Sequence, residues 1–573
     1  MDNLNTIVTI FICAFSVLAI GSHLARFIKA KIAARTKVSS AGENPGVLGE
    51  PPSAKSVLVP DFFMRYEKYI FAALLLLGIA LRVIQFISVP GGLNQDEASM
   101  GYDAFATAFY GIDRNGFSFP AYAISWGSGQ NVLYMYITAI LVKFFGLSVF
   151  IVRLPAVIFG IASLAVFYAL IKRISGVRSA LLGLLLLSIS PWHIMLSRWA
   201  LESNLLPAVF LFAVYMFVAA LSKQTKTKQT IYFCLGTLML SLSMYAYATV
   251  TIIMPIFLLC LFVYLLVRKL ITLKQTLWCA FVFLVSALPL ILFYIVNIFE
   301  LPSIITPLFS APRLSAMRGT LAFDSLSHNI EALINMITKQ YDGLIWNTVD
   351  GFGIMYLFMT PFLIPGLIRA FTNRRPGRNI MLFWLGCALL LGCVIHINVN
   401  RINFLFIPFI YFISEGVVFV SNGIDFLKKI KPSVVFVCMV LAISLVMFTG
   451  AYFGDDYKQN IERSFYKSFG EAVTYADGMD QPVYITTDVN GAYALVLFYT
   501  QMDPHEFVDT VIYTHNATEF RPVRSFGKYT MMVEEPLDTS GIYIVRTDSN
   551  IRFDRELFDV YGFEHYYVYC GKE

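Results

Sequence analysis

The chain has 573 residues, of which 57% are hydrophobic and 14% are charged, and its mean hydropathy is +0.68. Soluble globular domains carry about 25% charged residues, so this composition excludes a soluble protein and indicates a polytopic α-helical membrane protein. The formal net charge of +6 matters through its placement in loops, and we predict no nucleic-acid partner. Seven of the eight cysteines lie in apolar runs, which predicts neither a disulfide framework nor a CxxC metal site.

The N-terminal apolar run, residues 7–20, is followed by Lys and Arg instead of being preceded by them. This charge order is the reverse of that in a signal peptide and predicts a membrane anchor with its N-terminus outside. Residues 38–60 are rich in Ser, Gly and Pro and are interpreted as a cytoplasmic linker. Residues 1–64 are therefore assigned as an N-terminal anchor and linker.

The next apolar run, residues 70–89, leads into an acidic, aromatic and glycine-containing stretch, residues 91–131. A loop of this length is usually functional or disordered, and this one is too aromatic for a disordered linker. We interpret it as the site of a polar ligand, centred on Asp96 and Glu97.

Two interpretations of these acids stay open from residue types alone. A carboxylate here can act as a general base towards an acceptor hydroxyl. Alternatively, Asn94 or Asp96 begins a helix, and the acids stabilise its N-terminus. Asp103 lies on the same helical face as Asp96 and either supports it or is solvated, the second being favoured. The run from Asp113 to Gly116 predicts a turn.

The apolar run at residues 133–150, which contains Lys143, decides the topology. If it lies flat on the outer surface, five consecutive basic loops all fall inside, as the positive-inside rule requires. We therefore predict a surface-lying amphipathic helix near residues 132–148, and a first outer loop at 91–150. The twelve predicted spans are 7–20, 69–89, 151–171, 179–195, 205–222, 230–248, 250–267, 276–298, 353–371, 380–396, 402–421 and 433–452.

Two regions outside these spans complete the predicted organisation. Residues 299–352 form a long outer loop and a candidate lid that no motif marks. After residue 453 the composition changes, with strand-like runs at 482–487, 541–546 and 566–569 and a helix-like stretch at 490–501. Residues 65–452 are therefore predicted to be a transmembrane catalytic module, and 453–573 an outer α/β domain of ordinary size.

Other polar groups fall at the outer face in this topology. Arg198 and Glu202 are four residues apart and can form a helical ion pair, whereas an arginine at a membrane edge is also a natural phosphate ligand. Tyr245 belongs either to a site or to the interfacial aromatic belt. Arg401 is a positive charge on the outer side of the membrane, where the predicted topology places few basic residues. Binding of a lipid phosphate explains its presence there.

Two further residues near the outer face have structural alternatives. Arg82 lies within its span and is either functional or extends its charge to the interface. His193 is interpreted as structural more readily than as a metal ligand. The candidate lid at residues 299–352 contains further polar or aromatic residues near the outer face, among them Arg313, Arg318, Asp342 and Trp346.

Five segments in a fixed order resemble bacterial membrane glycosyltransferases of the GT-C superfamily, in particular the protein O-mannosyltransferase-like and aminoarabinose-transferase-like groups. The resemblance covers roughly residues 65–450. The segments are LNQDEASMGYDAF, GIDRNGFSFPAY, SGQNVLYMYITAILVKFFGLSVFIVRLPAVIFG, SPWHIMLSRWALESN and NRINFLFIPFIYF.

The resemblance implies inverting transfer of a sugar from a polyprenyl-phosphate carrier to an acceptor on the outer face. It implies that Asp96 is the catalytic base, with Glu97 beside it, and that arginines bind the lipid phosphate. Some relatives carry a lysine just before the LYxY segment, where this chain has Gly129 and Gln130. The predicted substrate-binding residues are Tyr102, Asp103, Gln130, Arg198, Glu202, Tyr245 and Arg401.

Because the leaving group is a phosphate ester, one carboxylate and nearby positive charge suffice for such a reaction. No cofactor is required, although Asp96 and Glu97 are able to ligate a divalent cation. The acceptor stays open between a protein, a cell-wall polymer and another lipid.

The predicted location is the plasma (inner) membrane, with multiple spans and with the active site and the C-terminal domain extracytoplasmic. A transporter or lipid flippase is the alternative, although transporters usually carry mid-membrane charges and repeated halves. A non-catalytic scaffold is a second alternative.

Overall fold

The computed structural model describes residues 8–14, 16–22, 62–126, 128–315, 325–423, 432–514 and 522–572. The predicted linker at 38–60 lies outside them, as does Arg318. The helices are α1 (Val8–Ser22), α2 (Phe62–Arg65), α3 (Glu67–Val83), α4 (Gln95–Tyr110), α5 (Leu133–Phe145), α6 (Val149–Ser175), α7 (Val177–Ile189), α8 (Pro191–Leu196), α9 (Leu206–Ala220), α10 (Lys226–Ala246), α11 (Thr249–Val267), α12 (Leu273–Ile298), α13 (Leu326–Thr338), α14 (Leu363–Thr372), α15 (Pro376–Val394), α16 (Phe406–Gly423), α17 (Pro432–Tyr452), α18 (Asp455–Ser464), α19 (Phe469–Asp477), α20 (Ala492–Thr500) and α21 (Pro504–Thr510).

The strands are short and, apart from one hairpin, belong to the C-terminal region. They are β1 (Ile304–Ile305), β2 (Ser310–Ala311), β3 (Val483–Ile485), β4 (Ile512–Tyr513), β5 (Val523–Phe526), β6 (Tyr529–Thr530), β7 (Ile542–Arg546), β8 (Phe558–Gly562) and β9 (Tyr566–Gly571).

Seven helices within the described residues are long and apolar enough to cross a membrane, which needs about 20 residues each. They are Val149–Ser175, Glu202–Ala220, Thr249–Val267, Leu273–Ile298, Pro376–Val394, Asn403–Gly423 and Val435–Tyr452. The other predicted spans coincide with helices that are shorter or less apolar, namely α1, α3, α7, α10 and α14. The polytopic helical architecture is therefore confirmed, whereas the total of twelve spans stays a prediction.

Helix α5 occupies the position of the predicted surface-lying helix. Its 13 residues extend about 20 Å at 1.5 Å per residue, less than the roughly 30 Å of a bilayer core. Ile140, Phe144 and Phe145 are exposed on it, whereas Tyr134 and Val142 are fully buried. The helix near 132–148 is confirmed, and its short amphipathic form favours the flat orientation, which stays a prediction.

Buried charges join the helices inside the bundle. The Arg82 guanidinium is fully buried and donates to the backbone oxygens of Gly78, Leu187 and Ser188 and to His193 Nδ1, at 2.6–3.1 Å. Arg82 and His193 therefore hold α3 against the end of α7, and the interpretation that Arg82 extends its charge to the interface is wrong.

A second buried group links α14, α15 and α16. The Glu415 carboxylate is fully buried and lies 2.8 Å from Arg378 Nη2 and 3.5 Å from Arg369 Nε. Two positive groups around one carboxylate compensate the cost of removing it from water, and they fix the relative positions of three helices.

The C-terminal region contains a seven-stranded mixed sheet in the order β4-β5-β6-β3-β7-β9-β8. Strand β3 is central and runs parallel to both β6 and β7, and the outer pairs are antiparallel. The predicted strands near 482, 541 and 566 and the helix at 490–501 correspond to β3, β7, β9 and α20. Helix α20 packs against α4, so this region lies directly on the acidic loop.

Candidate active site

Helix α4 carries the two predicted catalytic carboxylates in its first turn. Asn94 is its N-cap and accepts a hydrogen bond from the Asp96 amide at 3.0 Å, while the Glu97 carboxylate accepts one from the Asn94 amide at 3.1 Å. This reciprocal capping satisfies amides that a helix start leaves unpaired. The helix start predicted at Asn94 or Asp96 is therefore present, with Asn94 as its cap.

Glu97 has a structural role, which corrects its assignment to catalysis. Its side chain is fully buried and forms a two-point ion pair with Arg153, both N–O distances being 2.7 Å. It also accepts a hydrogen bond from the Ala200 amide at 2.8 Å. With both oxygens occupied by donors in a buried place, Glu97 positions the loop and does not face a substrate.

Arg198 is not a phosphate ligand in this arrangement, and that prediction is also corrected. Its buried guanidinium donates to the backbone oxygens of Val89, Leu81, Arg82 and Ile84 at 2.7–3.2 Å. These carbonyls belong to the end of α3 and the segment after it, where helix carbonyls lack internal partners.

The predicted helical ion pair between Arg198 and Glu202 is wrong. Helix α8 ends at Leu196, so the four-residue spacing that such a pair needs is not helical. Arg198 binds carbonyls of α3, and Glu202 accepts a hydrogen bond from the Asn131 amide.

Asp103 is buried and does not form a solvated face. Its Oδ2 lies 3.5 Å from Arg114 Nη1, and its Oδ1 accepts the Arg114 amide at 3.1 Å. Asp113 caps the predicted turn by accepting the amides of Asn115 and Phe117, both at 2.9 Å. Asp103 therefore supports the fold of the loop, and its assignment to substrate binding is corrected.

The two tyrosines assigned to substrate binding also hold the fold. Tyr102 is fully buried and its hydroxyl donates to the Met502 carbonyl at 2.7 Å, joining α4 to the C-terminal region. The Tyr245 hydroxyl donates to the Ser286 carbonyl at 2.9 Å, joining α10 to α12. The assignment of Tyr102 is corrected, because its hydroxyl is bonded inside the packing, whereas the assignment of the half-buried Tyr245 stays a prediction.

A cavity of about 230 Å³ brings four of the predicted site residues together. Asp96, Gln130, Glu202 and Arg401 line it, although they come from four separate segments of the chain. We call it the catalytic cavity. The other lining residues are Asn94, Gln95, Ser125, Trp126, Gly129, Trp199, Leu201, Tyr247, Leu344, Trp346, Asn398 and Asn400.

Asp96 is half-buried at the wall of the catalytic cavity. Its Oδ1 accepts a hydrogen bond from Trp126 Nε1 at 3.2 Å. The Trp126 indole is packed edge to face with Tyr493, with the ring centroids 5.5 Å apart. The indole therefore orients the Asp96 carboxylate, which is half-buried and keeps access to the cavity.

Arg401 brings positive charge to the same cavity from a short turn. Its amide binds Asn398 Oδ1 at 2.8 Å, and its exposed side chain donates to the His396 carbonyl at 3.0 Å. Asp342, from the candidate lid, accepts the Val399 amide at 2.9 Å and so holds the turn. Arg401 is the one positively charged side chain among the described residues that line the cavity.

The candidate lid contributes to the wall through Leu344 and Trp346. Another of its predicted residues, Arg313, pairs with Glu300 at 3.2 Å on the surface and does not line the cavity. The part of the loop near residues 344–346 therefore lies at the cavity, and its action as a lid stays a prediction.

A divalent cation shared by Asp96 and Glu97 does not fit the observed contacts, because Arg153 occupies the Glu97 oxygens. Among the described residues, Glu462, Glu564 and His565 are close enough together to hold a metal ion. The Lys467 ammonium already lies 2.9–3.0 Å from the two glutamates and supplies the positive charge there.

Two residues of the site were missed from the sequence. Arg153 lies inside the apolar stretch of α6, and a charge in such a stretch indicates a buried partner; this signal could have led to Glu97. Trp126 had no comparable signal, because its contact with Asp96 spans 30 positions, across α4 and the irregular segment that follows it.

Residues 130–296 match the family model of dolichyl-phosphate-mannose-protein mannosyltransferase, and no curated protein sequence matches the chain. Among solved structures, ArnT from Cupriavidus metallidurans bound to undecaprenyl phosphate is similar, with a TM-score of 0.51 and 13% identity over 88% of this chain and 99% of that chain. The same protein in its apo state gives a TM-score of 0.50 and 13% identity over 89% and 99% of the two chains.

Archaeal oligosaccharyltransferase AglB from Archaeoglobus fulgidus, in complex with an inhibitory peptide and a dolichol-phosphate, gives a TM-score of 0.48 and 14% identity. The similarity covers 76% of this chain and 64% of that chain, so this chain spans less than two thirds of its length. The chain therefore shares the fold of ArnT, and this fold together with the family-model match supports the GT-C resemblance found in the sequence.

The buried ion pair between Glu97 and Arg153 predicts that Glu97 and its neighbour Asp96 contribute differently to stability. Glu97→Gln leaves the Arg153 charge buried without a countercharge, which costs about 3–5 kcal/mol. We expect a markedly lower unfolding temperature of the purified protein in detergent. Asp96→Asn is the matched control, since its amide oxygen still accepts from Trp126; an equal loss of stability in both variants would contradict the separate roles.

Asp113 gives a pH-dependent prediction. Burial, with Asp103 nearby, raises the pKa of Asp113 from 3.8 to about 7. Between these values the folded protein binds a proton that the unfolded chain does not, so this group lowers stability as pH rises from about 4 to 7.

Asp113→Asn keeps the acceptor oxygen for Asn115 and Phe117 and removes the titration. We expect the unfolding temperature of the variant to fall less between pH 5 and pH 7.5 than that of the wild type. The exposed Asp509→Asn serves as the control, and identical pH profiles of wild type and Asp113→Asn would refute the prediction.

Proposed function

We propose that this protein is a membrane glycosyltransferase that moves a sugar from a polyprenyl-phosphate carrier to an acceptor hydroxyl with inversion at the anomeric carbon. The observation that carries the proposal is the catalytic cavity. The half-buried carboxylate of Asp96 and the guanidinium of Arg401 both line it. The GT-C fold supports this class of reaction.

In the proposed reaction Asp96 accepts the proton of the acceptor hydroxyl as that oxygen forms a bond to the anomeric carbon. The bond between the anomeric carbon and the phosphate oxygen breaks, and its electron pair leaves with the polyprenyl phosphate. A single displacement of this kind inverts the configuration and needs one base. The leaving phosphate needs no proton donor, in contrast to the alkoxide of a glycoside hydrolase.

Arg401 is the proposed ligand of the donor phosphate. A guanidinium binds phosphate oxygens through paired N–H donors, and it stabilises the negative charge that gathers on the leaving group. Glu202 and Gln130 are proposed to bind the transferred sugar, because a carboxylate and an amide are suitable partners for sugar hydroxyls.

The proposed reaction takes place on the outer face of the plasma membrane and requires no metal. The placement follows from the basic loops on the other side of the membrane. The match to the mannosyltransferase family model and the undecaprenyl phosphate bound by the structurally similar ArnT support a lipid-linked donor. They also favour a transferase over the transporter or lipid flippase that the composition allowed.

The first functional prediction concerns the base. Asp96→Asn retains the Trp126 hydrogen bond and removes proton acceptance, which typically contributes 10²–10⁴-fold to a rate. With a panel of radiolabelled polyprenyl-phosphate sugars and membranes as the acceptor source, we expect transfer by the wild type from one donor and a loss of about that size in the variant. Undiminished transfer by Asp96→Asn at an equal amount of protein would contradict the assignment of Asp96 as the base.

The second functional prediction concerns the phosphate. Arg401→Gln removes a charge-assisted hydrogen bond worth about 1.5–3 kcal/mol, so we expect KM for the lipid donor to rise at least about tenfold. Arg313→Gln, another exposed arginine that does not line the cavity, is the control. A donor KM that is unchanged in Arg401→Gln would show that the phosphate is bound elsewhere.

A further inference from the structure

A second cavity, of about 280 Å³, is also lined by Trp126. It is formed chiefly by the C-terminal region, and we call it the C-terminal cavity. Because Trp126 lines both cavities, one indole ring separates the C-terminal cavity from the wall that carries Asp96. The proposed reaction does not use this cavity.

The C-terminal cavity occupies a favourable place in the sheet. The loop that follows β3, including Thr487 and Asn490, forms one side of it. Strand β3 runs parallel to β6, and Met531, which directly follows β6, also lines the cavity, so the cavity lies beyond the carboxyl ends of these two strands. Ligands of open α/β sheets bind outside the carboxyl ends of the strands.

The lining of the C-terminal cavity combines apolar surface with uncharged polar groups. Trp126, Tyr493 and Met531 provide apolar surface, and the exposed Thr487 and Asn490 provide a hydroxyl and an amide. None of the described residues that line it is charged. Small-molecule sites typically join such apolar walls to a few polar groups.

This combination fits a neutral sugar ring. A pyranose has an apolar C–H face, which packs on the face of an aromatic ring, and a rim of hydroxyls that exchange hydrogen bonds with hydroxyl and amide groups. The volume, just below the usual range for small-molecule pockets, suits one or two sugar rings better than an extended polypeptide.

The wall between the two cavities is closely packed. Gly491 packs on the indole so closely that a Cβ there would lie 2.4 Å from Trp126, and its φ of +64° is one that glycine adopts without strain. The Arg114 guanidinium lies 5.9 Å from the centroid of the same indole. Trp126 is thus held by the C-terminal loop on one side and by the Asp96 hydrogen bond on the other.

We propose that the C-terminal cavity is an acceptor subsite for a neutral glycan. The sugar unit that reacts lies at Asp96 in the catalytic cavity, and a further unit of the same acceptor lies in the C-terminal cavity against Trp126 and Thr487. This inference rests on the proposed function. It narrows the acceptor, which the sequence left open between a protein, a cell-wall polymer and another lipid, to one that carries a carbohydrate of at least two units.

The test is a binding measurement that needs no donor. Purified full-length protein in lipid nanodiscs is titrated with neutral disaccharides of gluco, manno and galacto configuration, with their parent monosaccharides, and with an uncharged serine- and threonine-containing peptide. We expect at least one disaccharide to bind more tightly than its monosaccharide.

Three variants locate that binding. Thr487→Tyr obstructs the cavity, and we expect it to weaken disaccharide binding about tenfold, equivalent to about 1.4 kcal/mol. Thr487→Ser keeps the hydroxyl and retains binding within about twofold. Thr539→Tyr introduces the same side chain at an exposed threonine before β7, at the opposite end of the sheet, and leaves binding unchanged. Equal unfolding temperatures establish that Thr487→Tyr folds.

Three outcomes would overturn the inference. These are no disaccharide binding, disaccharide binding that Thr487→Tyr leaves intact, and peptide binding that Thr487→Tyr abolishes. The failures of the two proposals are distinguishable, because lipid-donor transfer that depends on Asp96 sustains the proposed function whatever the titration gives. If Thr487→Tyr removes disaccharide binding, the sugar site in the C-terminal cavity is supported. If the wild type at the same time transfers sugar from no donor, the proposed function is refuted.

Discussion

The acidic loop depends on one buried ion pair, between Glu97 of α4 and Arg153 of α6. Arg153 also donates to the backbone oxygens of Pro90 and Gly92, and Glu97 also accepts the Ala200 amide. With the Asn94 amide, which also donates to Glu97, six hydrogen bonds meet at these two side chains and connect the loop start, α4, α6 and the segment before α9. A buried pair of this kind is sustainable because every charge is compensated and every remaining donor has a partner.

The pair also explains how two adjacent carboxylates acquire different environments. Helix geometry turns successive side chains about 100° apart, so that Glu97 points into the bundle when Asp96 faces the catalytic cavity. The buried charge of Glu97 fixes the rotation of α4 about its axis. The position of Asp96 relative to Trp126 and Arg401 follows from that rotation, and a helix that was free to turn would not present the same oxygen to the cavity.

Sequence patterns predicted those parts of the structure that depend on neighbouring residues. The apolar runs gave most of the helices, the charge distribution located α5, and Asn94 marked the start of α4. Asp96, Gln130, Glu202 and Arg401 were selected from segment order and loop chemistry, and the fold brings their side chains to one cavity.

The corrected assignments of Arg198 and Tyr102 share a different physical cause. Arg198 binds carbonyls more than 100 positions away, and Tyr102 binds one 400 positions away. Such partners are backbone atoms, which every residue possesses, so residue types carry no signal for them. Strands β4 and β6 have two residues each, too few for an alternating pattern to be visible.

The contact between Gly92 and Phe465 has a consequence for how the protein is made. The Leu93 amide donates to the Phe465 carbonyl at 2.5 Å, and Gly92, with a φ of +85°, packs on the same carbonyl so closely that a Cβ would lie 2.1 Å from it. Residues near the beginning of the chain thus rest on residues that the ribosome adds more than 350 positions later. A partly translated chain that ends before Phe465 has the Glu97–Arg153 pair but lacks this second support for the loop that carries Asp96.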